Sequence, residues 1–209
     1  SRGLGDVYKR QLVMGMLASL ALVRLGRFRG KMSFAGMITA PLVMPEVITG
    51  LSLLLLFVAM EKSFGWPGGR GMLTIWIAHV TFSTAFVTVI LSSRLKEIDR
   101  SLEEAGMDLG ASPLKVFFVI TIPIITPALL AAWLLAFTLS LDDIVIASFV
   151  SGPGSTTLPM KVFSSVRLGI SPKINALASI IIALVSLGVL TAGWIVRGWE
   201  RKKTMGISQ

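Results

Sequence analysis

The chain has 209 residues, 54% of them hydrophobic, only 15% charged, with a formal net charge of +9 and a mean hydropathy of +0.80. A soluble domain carries about a quarter charged residues, whereas the apolar residues here gather into long runs of the kind a bilayer requires, about 20 residues per spanning helix. The absence of cysteine excludes disulfide frameworks and cysteine-ligated metal sites, and the basic residues sit mainly between apolar runs, which fits membrane topology better than nucleic-acid binding.

Residues Ser1 to Gln11 read SRGLGDVYKRQ, polar and glycine-containing, an atypical leader ahead of the abrupt apolar run Leu12 to Val23. That run is too short to cross a bilayer alone. A signal-peptide core is one reading, since Lys9 and Arg10 precede it, but no small-residue cleavage site follows. The reading preferred is a truncated transmembrane helix behind a leader of foreign origin. The second run, Phe34 to Met60, contains Pro41, Pro45 and Glu46. Proline removes a backbone donor, so the part before Glu46 is expected to pack against protein and Val47 to Met60 to form the clean span. Glu61 to Gly71 reads as a turn with Trp66 at an interface. The third run is Met72 to Leu91, and the polar segment Arg94 to Lys115 follows. The fourth run, Ile124 to Val150, opens after Pro123 and contains Asp142 and Asp143. A polar loop, 151–175, leads to a fifth run, Ala176 to Val196, and a basic tail at 201–209. The expected fold is an all-α polytopic bundle with about four complete spans and a partial one at the N-terminus.

Loops rich in Lys and Arg stay cytoplasmic. The richer segments hold Arg24, Arg27, Arg29 and Lys31; Arg94, Lys96, Arg100 and Lys115; and Arg197, Arg201, Lys202 and Lys203. The poorer ones hold Lys62 and Arg70, then Lys161, Arg167 and Lys173. The two kinds alternate, which places segment 94–115 and the C-terminus in the cytoplasm and 151–175 outside.

Segment 101–123 reads SLEEAGMDLGASPLKVFFVITIP. Ser101 suits an N-cap with Glu104 completing a capping box, and Leu102, Ala105 and Leu109 fall on one helical face. Gly110 suits a left-handed C-terminal turn. Ser112 is placed to cap a second helix with Pro113 at its first position, running through Phe117 and Phe118 to a break at Pro123. The result is a helix–turn–helix whose apolar face, including Leu109, Val116 and Phe117, needs a cover.

The residues Glu104-Ala105-Gly106, then Gly110, then Ile120-Thr121-Ile122-Pro123 resemble the EAA signature of ATP-binding cassette (ABC) importer permeases, with Gly106 in place of the second alanine and Ile122 in place of leucine. Gly106 is expected to weaken its helix by about 1 kcal/mol relative to alanine. The resemblance implies the type I importer permease fold for residues 12–200, with a coupling loop at 94–123 that docks on an ATP-binding subunit through Glu104, Ala105, Gly106, Gly110, Ile120 and Pro123. Pro41-Leu42-Val43-Met44-Pro45, Phe137 to Asp143, and Phe149-Val150-Ser151-Gly152 are similar to the second permease subunit of the putrescine and spermidine branch. That similarity covers about residues 18 to 200; the family's first helix, the external region after it and part of its second helix are missing. It further implies an ATP-binding subunit dimer, a second permease subunit, an external substrate-binding protein, no cofactor and the bacterial inner membrane.

Ionisable groups inside spans usually face a cavity or a partner. Glu46, Asp142 and Asp143 are therefore candidate contacts for a cationic cargo. The helical rise puts Asp142 about 27 Å beyond Ile124, near the external end. The structural reading stands beside the transport one: an Asp of the pair bonds another helix or caps the next. His79 reads as a hydrogen-bonded helix contact rather than a proton relay. Trp76, Trp133, Trp194 and Trp199 read as belt or packing residues. Gly152-Pro153-Gly154 lacks the Gly-Lys-Ser/Thr of a phosphate cradle. An intramembrane aspartyl protease would need a second aspartate from another span, and none occurs. A permease of the same superfamily with another cargo, such as sulfate, iron or a sugar, has the same coupling loop.

Overall fold

Hydrocarbon offers no water to peptide groups, so apolar runs satisfy their own N–H and C=O groups as helices. A computed structural model of the protein describes residues 2–167, 172, 175, 176 and 178–187, and no strand occurs among them. The helices are α1 (Arg2–Val23), α2 (Lys31–Val43), α3 (Glu46–Phe64), α4 (Met72–Glu97), α5 (Arg100–Asp108), α6 (Pro113–Val116), α7 (Ile122–Asp142), α8 (Val145–Val150) and α9 (Leu158–Arg167); a π-helical segment, Phe117–Thr121, joins α6 to α7. The chain forms two compact units, Ser1–Met160 and Lys161–Gln209. In the second, Ala178–Leu187 is a short apolar helix. The rest of the run to Val196, the tail, Trp194 and Trp199 lie outside the described residues.

Among the described residues, three helices are long and apolar enough to cross a membrane: Glu46–Phe64, Met72–Glu97 and the continuous Pro113–Asp142. They correspond to three of the four complete spans expected. The expected partial span appears as the shorter apolar stretch Arg10–Val23, within a helix that runs unbroken from Arg2.

The centre of the first unit is α4, which touches α1, α2, α3, α7 and α8. Its apolar window is 56% buried, against 17% for each of the other two spans, so its neighbours wrap it on several sides. Two of its threonines fit this burial because their hydroxyls bond within the helix: Thr84 donates to Val80 O and Thr88 to Thr84 O. Helix α1 runs beside α4 in the same direction. Arg10 lies over Trp76 near one end, and Arg100 reaches Val23 O at the other. Met16 joins Val87, Leu91, Leu95, Ile125, Ala132 and Ala136 in one buried cluster of α1, α4 and α7. A second cluster, Phe57, Ile75, Ala78, Phe82, Ile146 and Val150, joins α3, α4 and α8. The basic segments 24–31 and 94–115 meet at one end of α4, while Arg70 and Thr74 meet Phe149 and Val150 at the other.

Several sequence expectations are corrected. The segment before Glu46 is only partly covered, since α2 has no fully buried residue. Pro41 lies inside α2, and the interruption comes at Met44, which is extended (φ −79°, ψ 136°) before Pro45, as the residue preceding a proline favours. Pro123 does not break the chain's helix. The preceding π turn absorbs it: Ile122 N–H reaches back to Phe117 O, the wider register of a π-bulge. The fourth run is not one helix to Val150, because it breaks between Asp142 and Val145 and resumes as α8.

Gly15 lets α1 approach α4 closely. An added Cβ there would stand 2.7 Å from Val87 Cβ, itself fully buried. Gly15→Ala is therefore expected to destabilise the detergent-solubilised protein by about 1–3 kcal/mol. In thermal denaturation, Gly15→Ala combined with Val87→Ala should lose less than the sum of the two single variants.

Candidate functional site

Two places collect the residues singled out in the sequence, one at each side of the middle of α4. The first is the elbow after α4. Helix α5 is capped by Asp99, not Ser101: the Asp99 Oδ1 accepts the Ser101 N–H at 3.0 Å. Aspartate is at least as good a cap as serine, and it takes the role two residues earlier than expected. The backbone N–H of Ser101 holds the Asp99 carboxyl below the usual carboxylate range. At the far end Gly110 has φ +84°. Ala111 N–H bonds Gly106 O and Gly110 N–H bonds Met107 O, the paired closure of a Schellman turn. Ser112 Oγ then accepts the Lys115 N–H, with Pro113 opening α6. The expected helix–turn–helix is present.

Much of the apolar face that needs a cover is open. Leu102, Ala105 and Leu109 are exposed, Leu109 at 89%. Glu103 and Gly106 point inward instead. One oxygen of Glu103, Oε1, accepts from Arg24 Nη2 and from Thr121 Oγ1, both at 2.9 Å. It thereby joins the end of α1, the elbow and the π segment. A side chain on Gly106 would meet Ile120 Cδ1 at 2.8 Å and Val116 Cγ2 at 3.2 Å, so glycine allows the close approach that buries Val116. Of the motif residues, Gly106 and Ile120 are brought together, whereas Glu104, Ala105, Gly110 and Pro123 stay exposed. Glu103 was missed because its partner Arg24 lies 79 positions away. The spacing of Glu103 and Gly106 on one helical face was the available signal.

The second place is where two helices are interrupted. Glu46 opens α3, and Asp142 closes α7. Both line one cavity of about 220 Å³ with Phe82, Leu139, Asp143, Ile144 and Val145. All three candidate carboxylates thus come together, and no basic residue lines this cavity. Among the described residues, neither Glu46 nor Asp142 has a hydrogen bond or ion pair. Asp142 also sits at the negative end of a helix, where a carboxylate is unfavourable. Phe82 is ten residues into α4, so the cavity lies about 15 Å from the Met72 end. The chain continues past the pair as α8, so the site is set further in than the count from Ile124 suggested.

Asp143 behaves differently from its neighbour. Its Oδ1 accepts the Ile146 N–H at 3.0 Å, and its Oδ2 accepts the Ala147 N–H at 2.9 Å, so it caps α8. The same Oδ2 lies 2.8 Å from His79 Nε2, and His79 Nδ1 lies 2.7 Å from Ser140 Oγ. His79 is thus the hydrogen-bonded helix contact expected of it.

The model of the family described as "Binding-protein-dependent transport system inner membrane component" matches residues 11–204. The chain is 64% identical over 197 residues to the putrescine transport system permease protein PotI of Escherichia coli K12, covering 94% of this chain and 70% of that protein. It is 40% identical over 192 residues to the spermidine/putrescine transport system permease protein PotC of the same strain, covering 92% and 70%. A PotC homolog of Mycoplasma pneumoniae is 35% identical over 85% of this chain and 60% of its own length. The chain belongs to the binding-protein-dependent permease family. It is an inner-membrane component of a transport system, and its helical fold is the one the EAA resemblance implied. In this permease the elbow follows the end of α4, and the acidic cavity is lined by Phe82 of the same helix.

Two outcomes test the elbow. The Asp99 carboxyl titrates lower when folded, so its stabilisation is present above the ordinary carboxylate range and is lost as pH falls through the lowered value. The protection of amides at the start of α5, measured relative to their intrinsic exchange rate at each pH, should therefore fall on acidification, and Asp99→Asn should weaken that dependence. Glu103→Ala should destabilise the protein by about 1–3 kcal/mol. Glu103→Gln, which keeps an acceptor for Thr121, should cost less in the same denaturation measurement.

Proposed function

We propose that this chain is the transmembrane permease subunit of an ATP-driven polyamine importer, forming the translocation path with a second permease subunit. An external binding protein delivers putrescine or spermidine, and a dimer of ATP-binding subunits drives the cycle. The elbow 94–123 and the C-terminus face the cytoplasm, and 151–175 faces outward. The basic residues gathered at the elbow end of α4 support that orientation.

The observation that carries the cargo reading is the acidic cavity. Glu46 and Asp142, which have no partner among the described residues, repel one another beside the bonded Asp143, and a polyammonium cargo relieves that repulsion while its methylene chain meets Phe82 and Leu139. The similarity to PotI and PotC supports the same class. A sulfate permease would place cations or helix N-termini there instead. At the other end, the exposed Leu109 and Leu102 and the Schellman turn at Gly110 present a rigid apolar edge for the ATP-binding subunit.

The test is uptake of labelled putrescine by proteoliposomes holding the complete transporter. Asp142→Asn and Glu46→Gln should each raise the concentration for half-maximal uptake roughly ten- to a hundredfold, as expected for losing one charge-assisted contact of about 1.5–3 kcal/mol. Assembly with the partners should persist. Unchanged uptake in both variants rejects the cavity as the cargo path. Retained putrescine uptake with loss of another solute would reassign the cargo.

A further inference from the structure

Asp143 is occupied before any cargo arrives. Its two oxygens already accept three hydrogen bonds, from Ile146 N–H, Ala147 N–H and His79. Its side chain is 7% exposed, and that of His79 is 10% exposed. Asp142, one residue before it, is exposed and free among the described residues. The two carboxylates divide the work: one holds the fold and the other faces the cavity.

The ring of His79 is what keeps them apart. An ionised carboxylate only accepts, so Nε2 carries the proton donated to Asp143. In the neutral ring Nδ1 is then left to accept the Ser140 O–H. Ser140 and Asp143 are three residues apart and flank Asp142 in the last turn of α7. One buried ring on α4 thus clamps both ends of the turn that carries Asp142. The far end of α8 is tied to the same helix, because Thr74 Oγ1 donates to Val150 O at 2.6 Å. Ile146 and Val150 pack into the buried cluster with Ala78 and Phe82.

We propose that His79 is a positioning residue for transport: by holding Asp143 in its capping role and Ser140 beside it, it sets the α7–α8 break and aims the Asp142 carboxylate into the cavity. The inference rests on the reading of that cavity as the cargo path. His79 does not touch the cargo. It acts on affinity through the direction of its neighbour's charge.

The experiment is putrescine uptake by the complete transporter in proteoliposomes, with half-saturation and maximal rate read separately. His79→Leu fills the space but offers no donor. It should raise the half-saturating concentration about tenfold while the maximal rate of the assembled transporter changes less than about twofold. His79→Gln presents an amide N–H in place of the Nε2–H and should recover most of the affinity. His79→Leu combined with Asp142→Asn should be no worse than Asp142→Asn alone, because both remove the same interaction. The proposal is overturned if His79→Leu leaves half-saturation unchanged, if His79→Gln fails as badly as His79→Leu, or if the two losses add. If His79→Leu does not assemble, His79→Gln and Ser140→Ala carry the test. Near-normal affinity in the first and a partial loss in the second support the proposal, and any other pattern sinks it. Should Asp142→Asn itself leave uptake intact, the cargo reading of the cavity fails. Should Asp142→Asn lose affinity while His79→Leu does not, only the positioning role fails.

Discussion

A helix that starts anew inside hydrocarbon leaves N–H groups at its first turn that need an acceptor, and each such group costs several kcal/mol if none is supplied. The structure interrupts a span between Asp142 and Val145, and Asp143 supplies the acceptors that make this tolerable. Its carboxylate takes the first N–H groups of α8 and fastens the break to α4 through His79. Everything around the acidic cavity depends on that one group. Without the break, α7 would run on past Asp142, and the cavity would lose the wall made by Ile144 and Val145. The companion interruption, at Met44 and Pro45, is made by different chemistry. Proline forces its neighbour out of the helical region and starts α3 with Glu46 in its first turn, where the helix dipole favours a carboxylate. Two unrelated devices therefore deliver two carboxylates to one place.

The elbow is held by the same logic in a wetter setting. A single oxygen of Glu103 binds Arg24 and Thr121, so the end of α1 and the root of α7 move with α5. Gly106 lets α5 sit close enough for that bond to form. Glycine in a helix costs about 1 kcal/mol in propensity, and here the close contact with Ile120 and Val116 is the compensating feature. The departure from the family's second alanine, read in the sequence as a weakness, is a packing choice.

Much of this was legible in the residues, and what was not has definable causes. The helical runs follow from hydropathy, and the Gly110 turn and the Ser112 and Pro113 start follow from local chemistry that needs no tertiary partner. What was missed lies where a distant residue decides. Leu102, Ala105 and Leu109 form the more apolar face of α5 and stay exposed, while Glu103 turns inward to Arg24. Pro123 looks like a stop, yet a π turn, invisible to periodicity, carries the helix through. Asp142 and Asp143 look alike in sequence. Only the position of His79 on a neighbouring helix separates a cap from a free charge.

The two sites share a strut. Helix α4 begins beside α8, passes the acidic cavity at Phe82 and ends two residues before the Asp99 cap of the elbow. Over its 26 residues it is about 39 Å long. Motion at the elbow reaches the cavity along the continuous Pro113–Asp142 helix and as displacement of α4 against its neighbours. The contacts that must yield first are those between α4 and the ends of α8, at Asp143 and Val150. Both are hydrogen bonds, and they sit beside the buried apolar contacts of Ile146 and Val150 with Ala78 and Phe82. In the proposed transport cycle the hydrogen bonds can exchange partners while those apolar contacts keep α8 seated on α4 and the α1–α4–α7 cluster of Val87, Leu91, Leu95 and Ile125 moves as one piece.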